Sequence, residues 1–178
     1  FGQVRLGPFA FAFCNNLTEL SAVDIPDASQ MSNLSHGFHN SDFNLPIENW
    51  DLSQTTNLSY LFCNATKFNQ PLEKWNVSNV NDLSYLFSNA KVFNQPLNSW
   101  NTANVTTLAA TFRKAYQFNR PLDHWQTNKV TSLAALFESA ESFNQNIENW
   151  NTKNVSNMGS TFKQAVSFNQ PLNDWITS

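Results

Sequence analysis

Apolar and polar positions along this chain repeat together with a period of 25 residues. Segments like FNxPxxxW start at Phe43, Phe68, Phe93, Phe118, Phe143 (with Asn146 in place of proline) and Phe168, with no slip between them. A fixed period of this size is the signature of a solenoid, because one repeat cannot bury its apolar face alone and stacked repeats can. Residues 68–92 stand for the rest. Leu72-x-x-Trp75-x-Val77 predicts a short strand against a core, with Pro71 placed before it, where a missing N–H costs no ladder bond. The same pair recurs as Ile47/Trp50, Leu97/Trp100, Leu122/Trp125, Ile147/Trp150 and Leu172/Trp175. Asn76, Ser78 and Asn79 then supply capping groups for a helix start. Val80, Leu83, Leu86, Phe87 and Ala90 follow at i, i+3, i+6, i+7 and i+10, which predicts a short helix with one apolar stripe. The frame returns as Val105/Leu108/Phe112/Ala115, Val130/Leu133/Phe137/Ala140 and Val155/Met158/Phe162/Ala165. The expected architecture is a right-handed solenoid of about seven turns, with short parallel β-strands on one face and short helices, α or 3₁₀, on the other.

Two regions differ in regularity. Residues 43–178 hold the regular repeats, whereas residues 1–42 form irregular opening repeats. There Phe9, Phe11 and Phe13 alternate with small residues, Leu17, Leu20, Val23, Ile25 and Pro26 follow, and Met31, Leu34 and Phe38 match Val80, Leu83 and Phe87. One residue is missing from the period before Phe43. Terminal repeats are often atypical because they shield the open end of a core. The start at Phe1 and the stop just after Trp175 read as a piece cut from a longer array.

Composition narrows the function classes. Sixteen Phe and six Trp against 13% charged residues describe a chain that folds rather than a disordered one. The net charge of −3 and the lack of a basic run argue against nucleic acid, which requires clustered Lys and Arg. No apolar run approaches the roughly 18 residues that span a bilayer. Cys14 and Cys63 each follow a phenylalanine, Phe13 and Phe62. Equivalent places two turns apart would separate them by roughly 10 Å at strand spacing, beyond disulfide reach, so both are expected to be free thiols.

Two columns read as structural. Asn44, Asn69, Asn94, Asn119, Asn144 and Asn169 recur after the phenylalanine, as an amide ladder between turns would require. Gln70, Gln95, Gln145 and Gln170 extend it, with Leu45 and Arg120 interrupting. Trp50, Trp75, Trp100, Trp125, Trp150 and Trp175 fit core positions with each indole N–H bonded to a loop carbonyl; the competing use is a stacking platform for sugars.

The pattern FNQPLxxWxTxxVxxLxxLFxxA resembles the 25-residue repeat of bacterial surface proteins and lipoproteins grouped with BspA-type leucine-rich repeats. Phe13-Cys14-Asn15-Asn16-Leu17 through Ile25-Pro26 is similar to the BspA form itself. The resemblance covers about residues 9–178. It implies a leucine-rich-repeat-like fold, a cell-surface or secreted location, and a role in adhesion or host-matrix binding. It carries no catalytic residues.

Candidate chemistry is sparse. His36 and His39 lie three apart in what reads as a polar loop, and His124 stands alone, so no metal spacing arises. Glu48, Glu73, Asp123 and Glu148 share a column that Asn98 and Asn173 interrupt, unlike a calcium solenoid with an Asp in every turn. No phosphate loop or nucleophile elbow is present, so no catalytic residue, metal or cofactor is expected. N-x-S/T sequons at Asn16, Asn33, Asn57, Asn64, Asn76, Asn104 and Asn154 follow from an Asn-rich polar repeat. A threonine column, Thr102, Thr127, Thr152 and Thr177, is preceded by Leu52 and Val77, which breaks any flat ice-binding array. The expected recognition surface is the outward strand face: Glu48, Asp51, Glu73, Lys74, Asn76, Asn101, Asp123, His124, Glu148 and Asn151. The expected function is non-catalytic, binding protein or glycan at a surface. The alternative is self-association into an extracellular filament or surface layer.

Overall fold

A computed structural model describes residues 7–15 and 31–176. The segment from Leu17 to Pro26, the sequon at Asn16 and Thr177 lie outside the described residues. Successive 25-residue coils stack in register, and the phenylalanines of the repeat form a single file. Ring centroids are 6.1 Å apart for Phe43–Phe68, 5.9 Å for Phe68–Phe93 and 6.0 Å for Phe93–Phe118. A second file, Phe62, Phe87, Phe112 and Phe137, advances by 5.7–5.8 Å and faces the first at 3.8–4.0 Å. The tryptophans from Trp75 to Trp175 advance by 6.2–6.4 Å and pack beside the second file, with Trp75 6.1 Å from Phe62 and Trp125 6.0 Å from Phe112.

The predicted strands and helices are not what forms. Among the described residues there is no helix, and the only β-structure is a line of isolated parallel bridges, Asn33–Asn57–Asp82–Thr107–Ser132–Asn157. The chain is mostly non-regular, so a solenoid with strands on one face and helices on the other, leucine-rich-repeat-like, is ruled out. The physical reason lies in the coil step. A helix with its side chains is about 10–12 Å across, so helices stacked side by side cannot advance by the distance of one β-pairing. Here the Phe and Trp files both advance by about 6 Å per coil, too little for helices stacked side by side.

The segment expected to be helical is instead a ribbon of consecutive tight turns. In residues 58–65 the amides of Leu61, Cys63 and Ala65 donate to the carbonyls three residues back, Leu58, Tyr60 and Phe62. The alternate amides, Leu58, Tyr60, Phe62 and Asn64, donate to Asp82, Ser84, Leu86 and Ser88 of the next coil at 2.8–3.0 Å. Three of these eight backbone donors thus close local turns, four tie coils together and the Ser59 amide donates to Asn57 Oδ1, which satisfies the buried polar backbone without a helix. Tyr60 and Asn64 have φ of 58° and 60°, and the equivalent pair recurs in every described coil, from Phe9 and Phe13 to Ser160 and Gln164. Left-handed residues every fourth position are incompatible with a right-handed helix. They place Leu58, Leu61, Phe62 and Ala65 inward, all at most 1% exposed. That i, i+3, i+4, i+7 spacing is the one an amphipathic helix would show.

The segment expected to be a strand is also a turn: the Trp75 amide donates to the Leu72 carbonyl at 3.1 Å. Across residues 68–77 coils are linked by side chains instead of a backbone ladder. Gly37 marks a close approach at the first full coil. A Cβ there would lie 2.7 Å from Leu61 Cδ1, so the leucine of the next coil occupies the space a side chain would need. The coil at 31–42 pairs with its neighbour at a separation of 24 rather than 25 residues, as in Asn64 Nδ2 donating to Asn40 Oδ1 at 2.7 Å. Phe11, not Phe13, stacks on Phe38 at 5.3 Å, so Cys14 and Cys63 do not occupy equivalent places as the sequence suggested. Both are free thiols.

Candidate functional site

Exposed side chains gather along two edges of the coil, and the sequence-predicted set lies on one of them. Asp51, Glu73, Lys74, Asn76, Asn101, Asp123, His124 and Asn151 are exposed, and Glu48 and Glu148 are half-buried. The turn at Leu72–Trp75 and its equivalents push these residues outward while keeping Trp inward. Part of the set serves the backbone. Asp51, Asn76, Asn101 and Asn151 each accept, through the side-chain Oδ1, the amide two residues on, at 2.9–3.2 Å. These are Asx turns. For Asp51 the bond from Ser53 holds the carboxyl below the usual carboxylate range.

The remaining residues carry the charge. Lys74 Nζ lies 3.2 Å from Glu48 Oε1, Asn98 Nδ2 donates to Asp123 Oδ1 at 2.9 Å, and Asn173 Nδ2 donates to Glu148 Oε1 at 2.9 Å. His124 Nε2 lies 3.8 Å from Asp123 Oδ2. The fold brings Asp123 and Glu148 to one open depression of about 400 Å³, together with Asn146 and Asp174. Asp174 is absent from the sequence-derived set, although it continues the column of Lys74 and His124. Glu48, Glu73 and Lys74 lie outside this depression, so the predicted residues form a line along the edge instead of one site. Among the described residues no group of three His, Cys, Asp or Glu side chains is placed to hold a metal ion.

The two columns read as structural are placed as follows. Trp50, Trp75, Trp100, Trp125 and Trp150 are at most 5% exposed, and Trp175 is half-buried. The indole N–H of Trp75 donates to the Ile47 carbonyl at 2.9 Å, and Trp100, Trp125, Trp150 and Trp175 repeat the bond to the preceding coil. Asn44, Asn69, Asn94, Asn119 and Asn144 each accept through Oδ1 the amide of the asparagine one coil later, ending on Asn169, at 2.8–3.0 Å. Gln70, Gln95, Gln145 and Gln170 add a second donor to the same asparagines. Arg120 does not break that column as the sequence suggested, because its Nε donates to the Asn94 carbonyl at 2.8 Å.

The turn ribbon forms the second edge, which sequence reasoning missed. His36 and His39 sit there, in an aromatic cluster rather than a polar loop. His36 is stacked between Phe9 at 4.4 Å and Tyr60 at 4.5 Å, and Tyr60 is stacked on Tyr85 at 4.4 Å. Farther along, Glu138 accepts from Arg113 at 2.8 Å and lies 3.4 Å from Lys163, and Arg113 holds its carboxyl below the usual range. Burial pushes the Cys63 thiol up to about 11. The signal available in the sequence was the recurrence of Tyr60 and Tyr85 at one period from each other and, with the one-residue deletion, from His36.

A family model described as Mycoplasma protein of unknown function, DUF285, matches residues 9–125 and again residues 95–178. The chain belongs to the DUF285 family. No curated protein and no solved structure matches this DUF285 chain. No helix among its described residues is long and apolar enough to cross a membrane.

Proposed function

We propose that this DUF285 chain is a non-catalytic scaffold, cell-surface or secreted, whose exposed loop edge binds a protein or glycan partner in adhesion, in the manner its likeness to BspA-type repeats implies. The observation that carries this reading is the contrast between columns. Core columns repeat Phe or Trp coil after coil, whereas one exposed column reads Asn49, Lys74, Ser99, His124, Asn149 and Asp174. A fixed core that carries changeable exposed residues is the usual arrangement of a recognition surface on repeat proteins. The depression at Asp123, Glu148 and Asp174 gives the edge a concave stretch. The test is surface plasmon resonance of the chain against matrix proteins and immobilised glycans, with an Asp123→Asn/Glu148→Gln variant alongside. Binding that the variant weakens supports the proposal. Absence of binding, together with concentration-dependent growth in light scattering, would replace it with the self-associating filament or layer.

A further inference from the structure

The coil at 31–42 carries a cluster of rings that the later described coils lack. His36 lies flat between Phe9 and Tyr60, and His39 stands edge-on to His36 at 5.5 Å, to Phe13 at 5.8 Å and to Tyr60 at 6.4 Å. The Nδ1 atoms of both imidazoles are buried and have no hydrogen-bond partner among the described residues. A neutral imidazole needs one donor and one acceptor contact, whereas an imidazolium must donate from both nitrogens and loses more when one is cut off from partners.

Residues 7–15 are fastened to this cluster. The amides of Phe9, Phe11 and Phe13 donate to the carbonyls of Ser35, Gly37 and His39 at 3.1, 2.8 and 2.8 Å, and Phe11 covers Phe38. Among the described residues, the titratable groups on the segments packed against the histidines are Cys14 on the preceding stretch and Tyr60 and Cys63 on the following coil, with Tyr85 beyond. None is a carboxylate. Asp42, on the histidines' own coil, is paired with Lys67 at 2.7 Å, and Asp82 accepts the Ser84 amide at 2.8 Å. The faces of Phe9 and Tyr60 would attract a cation by about 0.5–2 kcal/mol. Against that stand two charges on neighbouring rings and, among the described residues, no counter-charge within the cluster.

We infer that protonation of His36 and His39 releases residues 7–15 from the coil at 31–42, so that mild acid uncovers Phe38. Burial lowers both imidazoles below the ordinary 6.5, and for His39 the neighbouring His36 adds to the effect. The unfolded segment therefore binds more protons below that value. The fastening is complete above about pH 6.5 and is lost as pH falls through the lowered folded-state values.

The experiment is amide hydrogen exchange on the whole chain, corrected for intrinsic rates, at about pH 7.5 and about pH 5. The opening constant of the Phe9, Phe11 and Phe13 amides should rise on acidification by up to about ten-fold per pH unit for each imidazole that charges. The amides of residues 83–90 should not change. A His36→Tyr/His39→Ser variant should remove the rise, and both replacements already occur in the same columns, at Tyr60 and Tyr85 and at Ser88. An equal rise in that variant, or no protection of residues 7–15 at either pH, overturns the inference. So does an imidazole titration by NMR at or above 6.5 in the unsubstituted chain.

Discussion

Replacing Trp100 by alanine tests whether the aligned columns hold the molecule together. Trp100 is 1% exposed, lies 6.4 Å from Trp75 and 6.2 Å from Trp125, and donates its indole N–H to the Leu72 carbonyl at 3.0 Å. Truncating a buried tryptophan costs about 3–5 kcal/mol, the higher values arising where the site cannot collapse. Collapse is restricted here, because the coil step is held in the turn ribbon by the Tyr85 and Phe87 amides donating to Ala109 and Thr111 at 2.8 and 2.9 Å. The Leu72 carbonyl keeps the Trp75 amide at 3.1 Å, so no acceptor is orphaned and the loss is mainly packing. We expect about 4 kcal/mol for Trp100→Ala, a large share of a typical domain stability. Trp175→Ala should cost about half as much, since Trp175 is half-buried and the structure describes one stacked neighbour, Trp150, at 6.3 Å. Urea unfolding followed by circular dichroism gives both values. A loss below about 1 kcal/mol for Trp100→Ala, or equal losses at the two positions, would refute the reasoning. Unchanged stability with lost glycan binding would make the tryptophans a sugar platform after all.

Asn94→Ala removes the acceptor of the Asn119 amide at 3.0 Å and should cost about 1–2 kcal/mol, while Asn94→Asp, which keeps an acceptor oxygen, should cost less; urea midpoints decide, and equal losses would remove the ladder's role. Ser160 is exposed at a φ of 61°, so Ser160→Gly should be neutral or stabilising and Ser160→Val should lose about 1–2 kcal/mol in thermal unfolding, with the opposite order contradicting the left-handed turn. Cys63, buried and with its thiol pushed up to about 11, should resist a thiol reagent at mildly alkaline pH until urea unfolds the chain; prompt native-state labelling would show the ribbon is open there.

The period and the core columns were legible in the sequence because every coil carries Phe and Trp at the same places. The local structure was not. Leu58, Leu61, Phe62 and Ala65 point inward from turns of four residues, and a helix of 3.6 residues per turn would send the same spacing inward. Over only eight residues the two periods drift apart too little to be told from apolar positions alone. The polar residues held the deciding information. Tyr60 and Asn64 occupy left-handed backbone, and the same positions take Lys114 and Ser139 elsewhere, so no glycine announced the turns. Helix-capping residues misled for a related reason: Asn76 caps a turn instead, through its bond from the Ser78 amide.

The edge residues illustrate a limit of a different kind. An exposed asparagine or aspartate in a repeat can be a contact or a turn cap, and the two uses give the same column in a sequence. The structure separates them by where the Oδ1 points. At Asp51, Asn76, Asn101 and Asn151 it points back to the chain, so replacing these residues would disturb the turn before it disturbed a partner. Asp123 and Glu148 instead accept from Asn98 and Asn173 on adjacent coils and line one depression with Asp174. Because adjacent coils advance by only about 6 Å, carboxylates from successive repeats line one depression, although they are 25 or more residues apart in the chain. A register slip of one residue at any coil would break that alignment and the Asn ladder together. The tightness of the core and the definition of the edge therefore depend on the same stack.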